Sequence, residues 1–187
     1  RVAEYLTAEE DAEKPLVAYR ALRHADPGGT LDRAKTLAKS KFLSVRREVA
    51  VSLRDVAYDK CKSVIGDLID GYNGRNRYYL EALGVAFTHK EKEIYRELVA
   101  PRFSNPEKWS RTAKNLAWRL HTPEAIRDLD TCIRSQVPPV DEFRFLAMAF
   151  ASFRNDGERK DRKERLLALG KLKEFRPVHY QVSVREI

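Results

Sequence analysis

Hydrophobic residues recur at helical spacing through most of this chain. The clearest stretch places apolar side chains three and four residues apart, at Cys61, Val64, Ile65, Leu68, Ile69 and Tyr72. That spacing puts them on one face of an α-helix. Similar stripes begin at Val45, Ile94 and Trp109. No stretch before residue 177 alternates with a period of two, so we expect no strand there.

The pattern predicts ten helices, at about residues 8–24, 31–40, 45–57, 60–72, 77–88, 90–101, 107–120, 123–135, 141–153 and 159–170. Asn105-Pro106-Glu107 and Thr122-Pro123-Glu124 each combine a capping side chain, a proline and an acid, which favours a helix start. Ser44 and Asp59 are expected to cap two further helices. The weakly alternating segment 178–184 is predicted to be extended.

Octapeptides with similar apolar patterns recur along the chain. Their first residues, called anchors below, follow one another at steps of 32, 31, 33 and 33 residues: Val17, Val49, Leu80, Ala113 and Leu146. Two helices per period of this length are typical of an α-solenoid, because one helix pair cannot bury both of its faces alone. We therefore predict an all-α fold, an armadillo-type superhelix of about five helix pairs over residues 1–176, followed by a tail or linker at 177–187.

The second repeat reads Ser44-Val45-Arg46-Arg47-Glu48-Val49-Ala50-Val51-Ser52-Leu53. It resembles the first helix of a HEAT repeat, in which a capping residue precedes Val-Arg and small apolar residues that end in Leu. The Trp, Gly and Tyr positions of the tetratricopeptide repeat do not recur, so HEAT-like pairs are favoured. By analogy with such folds, the second helices are expected to line a concave, partner-binding side.

Three segments carry a wider resemblance: residues 49–56; Asp70-Gly71-Tyr72-Asn73-Gly74-Arg75-Asn76-Arg77-Tyr78-Tyr79-Leu80-Glu81-Ala82-Leu83-Gly84; and Leu116-Ala117-Trp118-Arg119-Leu120-His121-Thr122-Pro123-Glu124-Ala125. They resemble the HEAT segment of large secreted proteins of Planctomycetes and Verrucomicrobia. Those proteins join a sorbosone-dehydrogenase-like β-propeller, a HEAT array and a c-type cytochrome. The resemblance, over residues 15–150, implies a periplasmic or secreted oxidoreductase in which this array is a spacer or docking scaffold.

The chemistry of such a parent is not visible in this chain. No haem-attachment motif Cys-x-x-Cys-His occurs, and Cys61 and Cys132 each stand alone, so we expect two free, buried thiols. His24, His89 and His121 follow first helices, but equivalent positions in packed helices lie about 8–10 Å apart, too far for a shared metal. No phosphate-binding loop or Gly-x-Ser-x-Gly occurs. We predict a chain that is not an enzyme and binds no cofactor or metal.

Charge adds one candidate surface. The net charge of +8 permits nucleic acid or acidic protein as partners, although acids interleave with bases along most of the chain. No apolar run approaches the length of a membrane span. Basic residues stand two or three positions before the anchors, at Arg46, Arg47, Arg77, Arg111 and Arg144. Stacked repeats are predicted to align these arginines along one edge.

Two interpretations of this edge are open. In the favoured one each arginine pairs with a nearby acid, and Glu48, Glu81 and Glu142 are the candidates. In the other the arginines follow a phosphate backbone. Exposed aromatic residues are a further candidate contact for a partner, with Tyr78, Trp118 and Phe145 in view.

The favoured function is a non-catalytic protein-interaction or spacer scaffold. It would be a fragment of an extracytoplasmic multidomain haem-containing oxidoreductase, and its partner would be a neighbouring domain or another chain. One alternative is a HEAT-repeat nucleic-acid-binding protein that uses the basic edge. Another is an accessory protein that grips a cofactor-bearing partner. The natural reading frame on either side of residues 1–187 would separate the first from the others.

Overall fold

The computed structural model describes residues 2–7 and 11–135, and all regular structure in these residues is helical. The α-helices are α1 (Glu13–Ala25), α2 (Thr30–Leu37), α3 (Leu43–Ser52), α4 (Tyr58–Asp70), α5 (Arg77–Phe87), α6 (Glu91–Ile94), α7 (Arg111–Leu120) and α8 (Pro123–Ser135). Helix α6 runs directly into a π-helical turn, Tyr95–Val99. Short 3-10 helices lie at Val2–Thr7, Pro27–Gly29 and Pro106–Lys108. The predicted all-α class is confirmed for this part of the chain.

Each of the first eight predicted helices overlaps an observed one. The helices predicted at 141–153 and 159–170, and the tail at 177–187, lie outside the described residues. The helix predicted at 45–57 ends early, at Ser52. The Ser52 hydroxyl donates to the Val49 carbonyl at 2.7 Å and also bonds the Tyr19 hydroxyl at 2.7 Å. Such a local side-chain bond competes with continuation of the helix.

The helix predicted at 107–120 is divided in two. The Asn105 side chain accepts from the Glu107 amide, but only a 3-10 turn follows. Trp109 is then extended and buried, and its indole Nε1 donates to the Phe103 carbonyl at 2.8 Å. Ser110 starts α7 by accepting from the Ala113 amide. The buried indole therefore separates the two segments.

Two of the four predicted caps are confirmed and two are wrong. Asn105 caps its 3-10 turn, and the Thr122 hydroxyl accepts from the Ala125 amide at 3.1 Å at the start of α8. Helix α3 begins one residue before Ser44, and Asp59 lies inside the first turn of α4. Neither α3 nor α4 has a side-chain cap. At both starts the flanking apolar residues Phe42, Leu43, Val56 and Tyr58 are partly buried against the core, and such packing supplies most of the stability of helices in proteins.

The helices pack as two rows in chain order. In the odd row α1 contacts α3, α3 contacts α5 and α5 contacts α7; in the even row α2 contacts α4. The predicted apolar stripe of α4 is buried along its whole length, from Cys61 to Tyr72. Cys61 and Cys132 are both buried, as predicted, and burial raises the pKa of the Cys61 thiol. The apolar faces of the two rows thus share one core.

Polar pairs join successive members of the even row. They are Lys39 with Asp67 (3.6 Å), Lys62 with Glu97 (2.5 Å), Asp70 with Arg102 (2.8 Å), Arg96 with Glu124 (2.5 Å), and Tyr95 with Asp128. The hydrogen bond from Lys62 lowers the pKa of Glu97, and that from Arg96 lowers the pKa of Glu124. Exposed pairs of this kind contribute about 0–1 kcal/mol each, so they set the relative position of helices more than the stability.

None of the described helices combines the length and the apolar character that a bilayer span needs.

Candidate interaction surface

The first turns of α3, α5 and α7 come together at one edge of the odd row. The Arg47 guanidinium of α3 lies over the Tyr78 ring of α5, 5.4 Å from its centroid. A Cβ built on Gly74, in the loop before α5, would lie 2.9 Å from the Thr112 backbone nitrogen in α7. Gly74 has φ +77°, where side chains are strained, so glycine permits both the turn and the close approach. The three helix starts are therefore adjacent.

This arrangement brings four of the five predicted edge residues into one patch. Arg75, which the spacing of the anchors did not single out, joins them because the Gly74 turn places it beside α7. We call this patch the basic edge, and its members are Arg46, Arg47, Arg75, Arg77, Tyr78 and Arg111. Arg144, the fifth predicted residue, lies outside the described residues, as does its candidate partner Glu142.

Arg46 is the most enclosed arginine of the basic edge. Its guanidinium lies over the Tyr79 ring at 5.4 Å and packs against Gly71, where a Cβ would be 3.4 Å from Nη1. Its Nε is buried and makes no hydrogen bond. Tyr79 is itself fixed, because its hydroxyl donates to the Leu68 carbonyl at 2.8 Å. Cation–π contacts of this kind contribute about 0.5–2 kcal/mol, depending on desolvation.

Arg47 and Tyr78 form the exposed counterpart of that pair. Tyr78 is 70% exposed, the highest value among the large apolar side chains of the described residues. It was one of three aromatic candidates for a partner contact. Of the other two, Trp118 is partly buried against the core, and Phe145 lies outside the described residues. The structure therefore presents one of the three at the surface beside a cation.

The acids expected to neutralise the edge are mostly engaged elsewhere. Glu48 binds Arg20 at 2.6 Å and Arg23 at 3.1 Å, both from α1. Glu81 lies 3.8 Å from Arg77 Nε and 3.4 Å from Arg119 Nε. Within residues 2–7 and 11–135, no carboxylate reaches Arg46, Arg47 or Arg75. Pairing with an acid thus describes Arg77 and does not describe the arginines of α3.

The loop between α4 and α5 is held against α7. Asn115 donates from Nδ2 to the Tyr72 hydroxyl and to the Gly74 carbonyl, at 3.0 Å each. Burial raises the pKa of Tyr72, while the bond from Asn115 and the charge of Arg111 oppose that shift. Arg75 and Arg111 are both exposed. The Asn115 bonds therefore fix the backbone of the loop that carries Arg75 against α7.

The histidines have a structural role in the backbone. His89 and His121 follow α5 and α7 with φ of 63° and 57°, and His24 lies in the last turn of α1. Left-handed residues commonly end helices, and histidine is enriched among the non-glycine residues that adopt this conformation. In the part of the chain that the structure describes, no group of three or more His, Cys, Asp or Glu side chains is placed to hold a metal ion.

Comparison of the chain with protein-family models, with curated proteins and with solved structures finds no match. The class defined here is an all-α protein with two helix rows and a basic edge at the starts of three helices. Its interpretation rests on that geometry and on the chemistry of these side chains.

Proposed function

We propose that this chain is a non-catalytic protein-interaction scaffold. It is an α-solenoid of HEAT-like pairs and belongs to an extracytoplasmic multidomain haem-containing oxidoreductase. The observation that carries the proposal is the packing of each odd helix on the next odd helix, from α1 to α7, beside an even row joined by polar pairs. Packing between successive pairs is the principle of repeat arrays, whose long surfaces bind partners.

The segments that resemble the large secreted proteins support this assignment through their positions. Residues 70–84 form most of α5 together with the loop before it, and this loop packs on α7. Residues 116–125 form the second half of α7, the turn after it and the start of α8. Within them Tyr72 bonds Asn115, Gly84 lies against Arg119, and Thr122 caps α8. These residues therefore make the contacts among α5, α7 and α8, where the proposed array would join one helix pair to the next.

A second candidate function is nucleic-acid binding through the basic edge. The observation in its favour is that Arg46 and Arg47 have no carboxylate partner among the described residues. In addition, Arg47 lies over the exposed ring of Tyr78. Affinity for a phosphate backbone would fall steeply with salt. The other alternative, an accessory protein that grips a cofactor-bearing partner, would reveal itself by a pigmented or modified protein that co-purifies.

The test of the scaffold proposal is the natural reading frame on both sides of residues 1–187. We expect a Cys-x-x-Cys-His motif downstream and a propeller-like region upstream. A frame that ends near these residues with neither feature would refute the oxidoreductase parent. Binding to nucleic acid would then become the leading function.

A further inference from the structure

We propose that the basic edge is the docking surface of this scaffold and that its occupant is an acidic protein segment. The Asp and Glu carboxylates of that segment would pair with the guanidinium groups of Arg46, Arg47 and Arg75. This inference rests on the proposed function, because it names the surface and the partner chemistry of the same scaffold.

Other arginines that connect helices in the described residues are paired with carboxylates. In each of them a guanidinium nitrogen lies within 3.4 Å of a carboxylate oxygen on another helix or the turn beside it. They are Arg20, Arg23, Arg96, Arg102 and Arg119. Arg46 and Arg47 also bridge two helices, but what they meet on α5 is the ring of Tyr79 or Tyr78. Among residues 2–7 and 11–135, Arg46 and Arg47 thus lack the carboxylates that the arginines at the neighbouring helix contacts have.

Ring contacts hold Arg46 and Arg47 in place before a partner arrives. A guanidinium that lies over a ring uses no acceptor in that contact, so the N–H groups that reach the surface can still donate to a carboxylate. Arg46 is additionally confined by Gly71, and its buried Nε has no acceptor. A side chain that is already ordered loses less conformational entropy on binding. The edge therefore favours an occupant with matching acceptors.

Glu48 and Glu81 lie on α3 and α5, the same two helices as Arg46, Arg47 and Arg77, and each is already paired with arginines. A phosphate backbone carries its charges at a fixed spacing, whereas a polypeptide can place separate carboxylates at individual arginines. The combination of arginine with an exposed tyrosine is also the composition enriched at protein–protein contacts.

The experiment measures fluorescence anisotropy of a labelled short poly-glutamate peptide titrated with the full chain at low ionic strength. An Arg47→Glu, Arg75→Glu variant is compared with a Lys60→Glu, Lys92→Glu variant, which makes the same change in net charge. All four positions are exposed, and Lys60 and Lys92 lie on α4 and α6, away from the basic edge. We expect the edge variant to bind about tenfold or more weakly and the control variant to stay within about threefold.

A third variant, Tyr78→Ala, removes the ring under Arg47 without changing charge. We expect it to weaken peptide binding about threefold, since Arg47 is no longer held in place. Equal losses in the two charge-reversed variants, or no peptide binding at all, would overturn the proposal. So would tighter binding of a single-stranded oligonucleotide of matched charge that is lost in the edge variant, because the occupant would then be nucleic acid. None of these results bears on the reading frame, so the two proposals fail separately.

Discussion

Two histidines show how a single residue can be selected for its backbone. His89 and His121 both end a helix of the odd row in the left-handed conformation. For a residue with a Cβ this conformation costs about 1–2 kcal/mol relative to the right-handed one. His121 recovers part of that cost through a 2.7 Å contact between Nδ1 and the Trp118 carbonyl. Among the described residues, no hydrogen bond to the side chain of His89 offsets its strain, so we expect the larger net cost at His89.

Replacement of His89 by glycine should therefore stabilise the protein. We expect His89→Gly to raise the free energy of unfolding by about 0.5–1 kcal/mol, as measured by urea denaturation. The matched change His24→Gly falls inside α1, where glycine should lower that free energy by about 0.5–1 kcal/mol. A loss of stability in both variants would mean that the His89 side chain matters more than its φ angle.

At the residue scale, the sequence predicts those features that depend on residues close together in the chain. Asn105 and Thr122 were recognised as caps because proline and an acid follow each of them. The surroundings of Arg46 were not predictable, because the Tyr79 ring that covers it comes from the next odd helix. The spacing of the anchors does not predict Arg75, because this residue belongs to a loop whose Gly74 turn packs against Thr112 of α7 only in the folded chain.

At the scale of elements, the contact between α5 and α7 depends on one glycine. A Cβ built on Gly84 would lie 1.9 Å from Arg119 Nε, so the Arg119 side chain crosses α5 directly over this residue. That path takes Arg119 to Glu81, 3.4 Å away. Glycine inside a helix normally costs about 1 kcal/mol relative to alanine. Here it provides the space for the crossing.

The effect of Gly84→Ala should consequently depend on Arg119. We expect Gly84→Ala to lower the free energy of unfolding by about 1 kcal/mol in the native chain, since Arg119 must leave its site. In an Arg119→Ala background the same change should raise that free energy by about 1 kcal/mol, through helix propensity alone. A double-mutant cycle measures the difference. Additive effects of the two substitutions would show that Arg119 does not constrain residue 84.

Sequence located the elements better than their ends. Helices were found wherever an apolar stripe was continuous, because that stripe is the surface the other row buries. The break before α7 was missed, since Trp109 fits the stripe and its indole bond to Phe103 depends on the folded turn. The anchors Val17, Val49, Leu80 and Ala113 lie on α1, α3, α5 and α7, but the sequence does not indicate which side chains meet between the rows.

On the scale of the whole molecule, the burial of tyrosine hydroxyl groups makes the free energy of unfolding depend on pH in the alkaline range. Burial is the largest cause of the raised pKa of five tyrosines: Tyr19, Tyr58, Tyr72, Tyr79 and Tyr95. For Tyr79 the pKa rises from 10.0 to about 12. At Tyr58 and Tyr95 the neighbouring carboxylates Glu97 and Asp128 raise it further. The folded chain thus holds phenol protons that the unfolded chain releases near pH 10.

The sign of the effect follows from this difference. Below pH about 10 the tyrosine hydroxyls keep their protons in both the folded and the unfolded state, so the free energy of unfolding does not depend on them. Above pH about 10 the unfolded state binds fewer protons than the folded state, so the free energy of unfolding falls as pH rises toward 12. Urea denaturation at several values of pH should show this decline. Tyr79→Phe removes one such proton and should make the decline shallower. A free energy of unfolding that stays constant across this range would contradict the burial of these hydroxyls.

The tryptophans have a consequence for how unfolding is observed. The chain has two, Trp109 and Trp118, and both lie in or directly before α7. Indole fluorescence therefore reports on one end of the described helices, whereas circular dichroism sums over all of them. If the end that contains α1 opens first, the ellipticity changes while the emission does not. A two-state fit to the emission alone would then overstate the stability of the molecule.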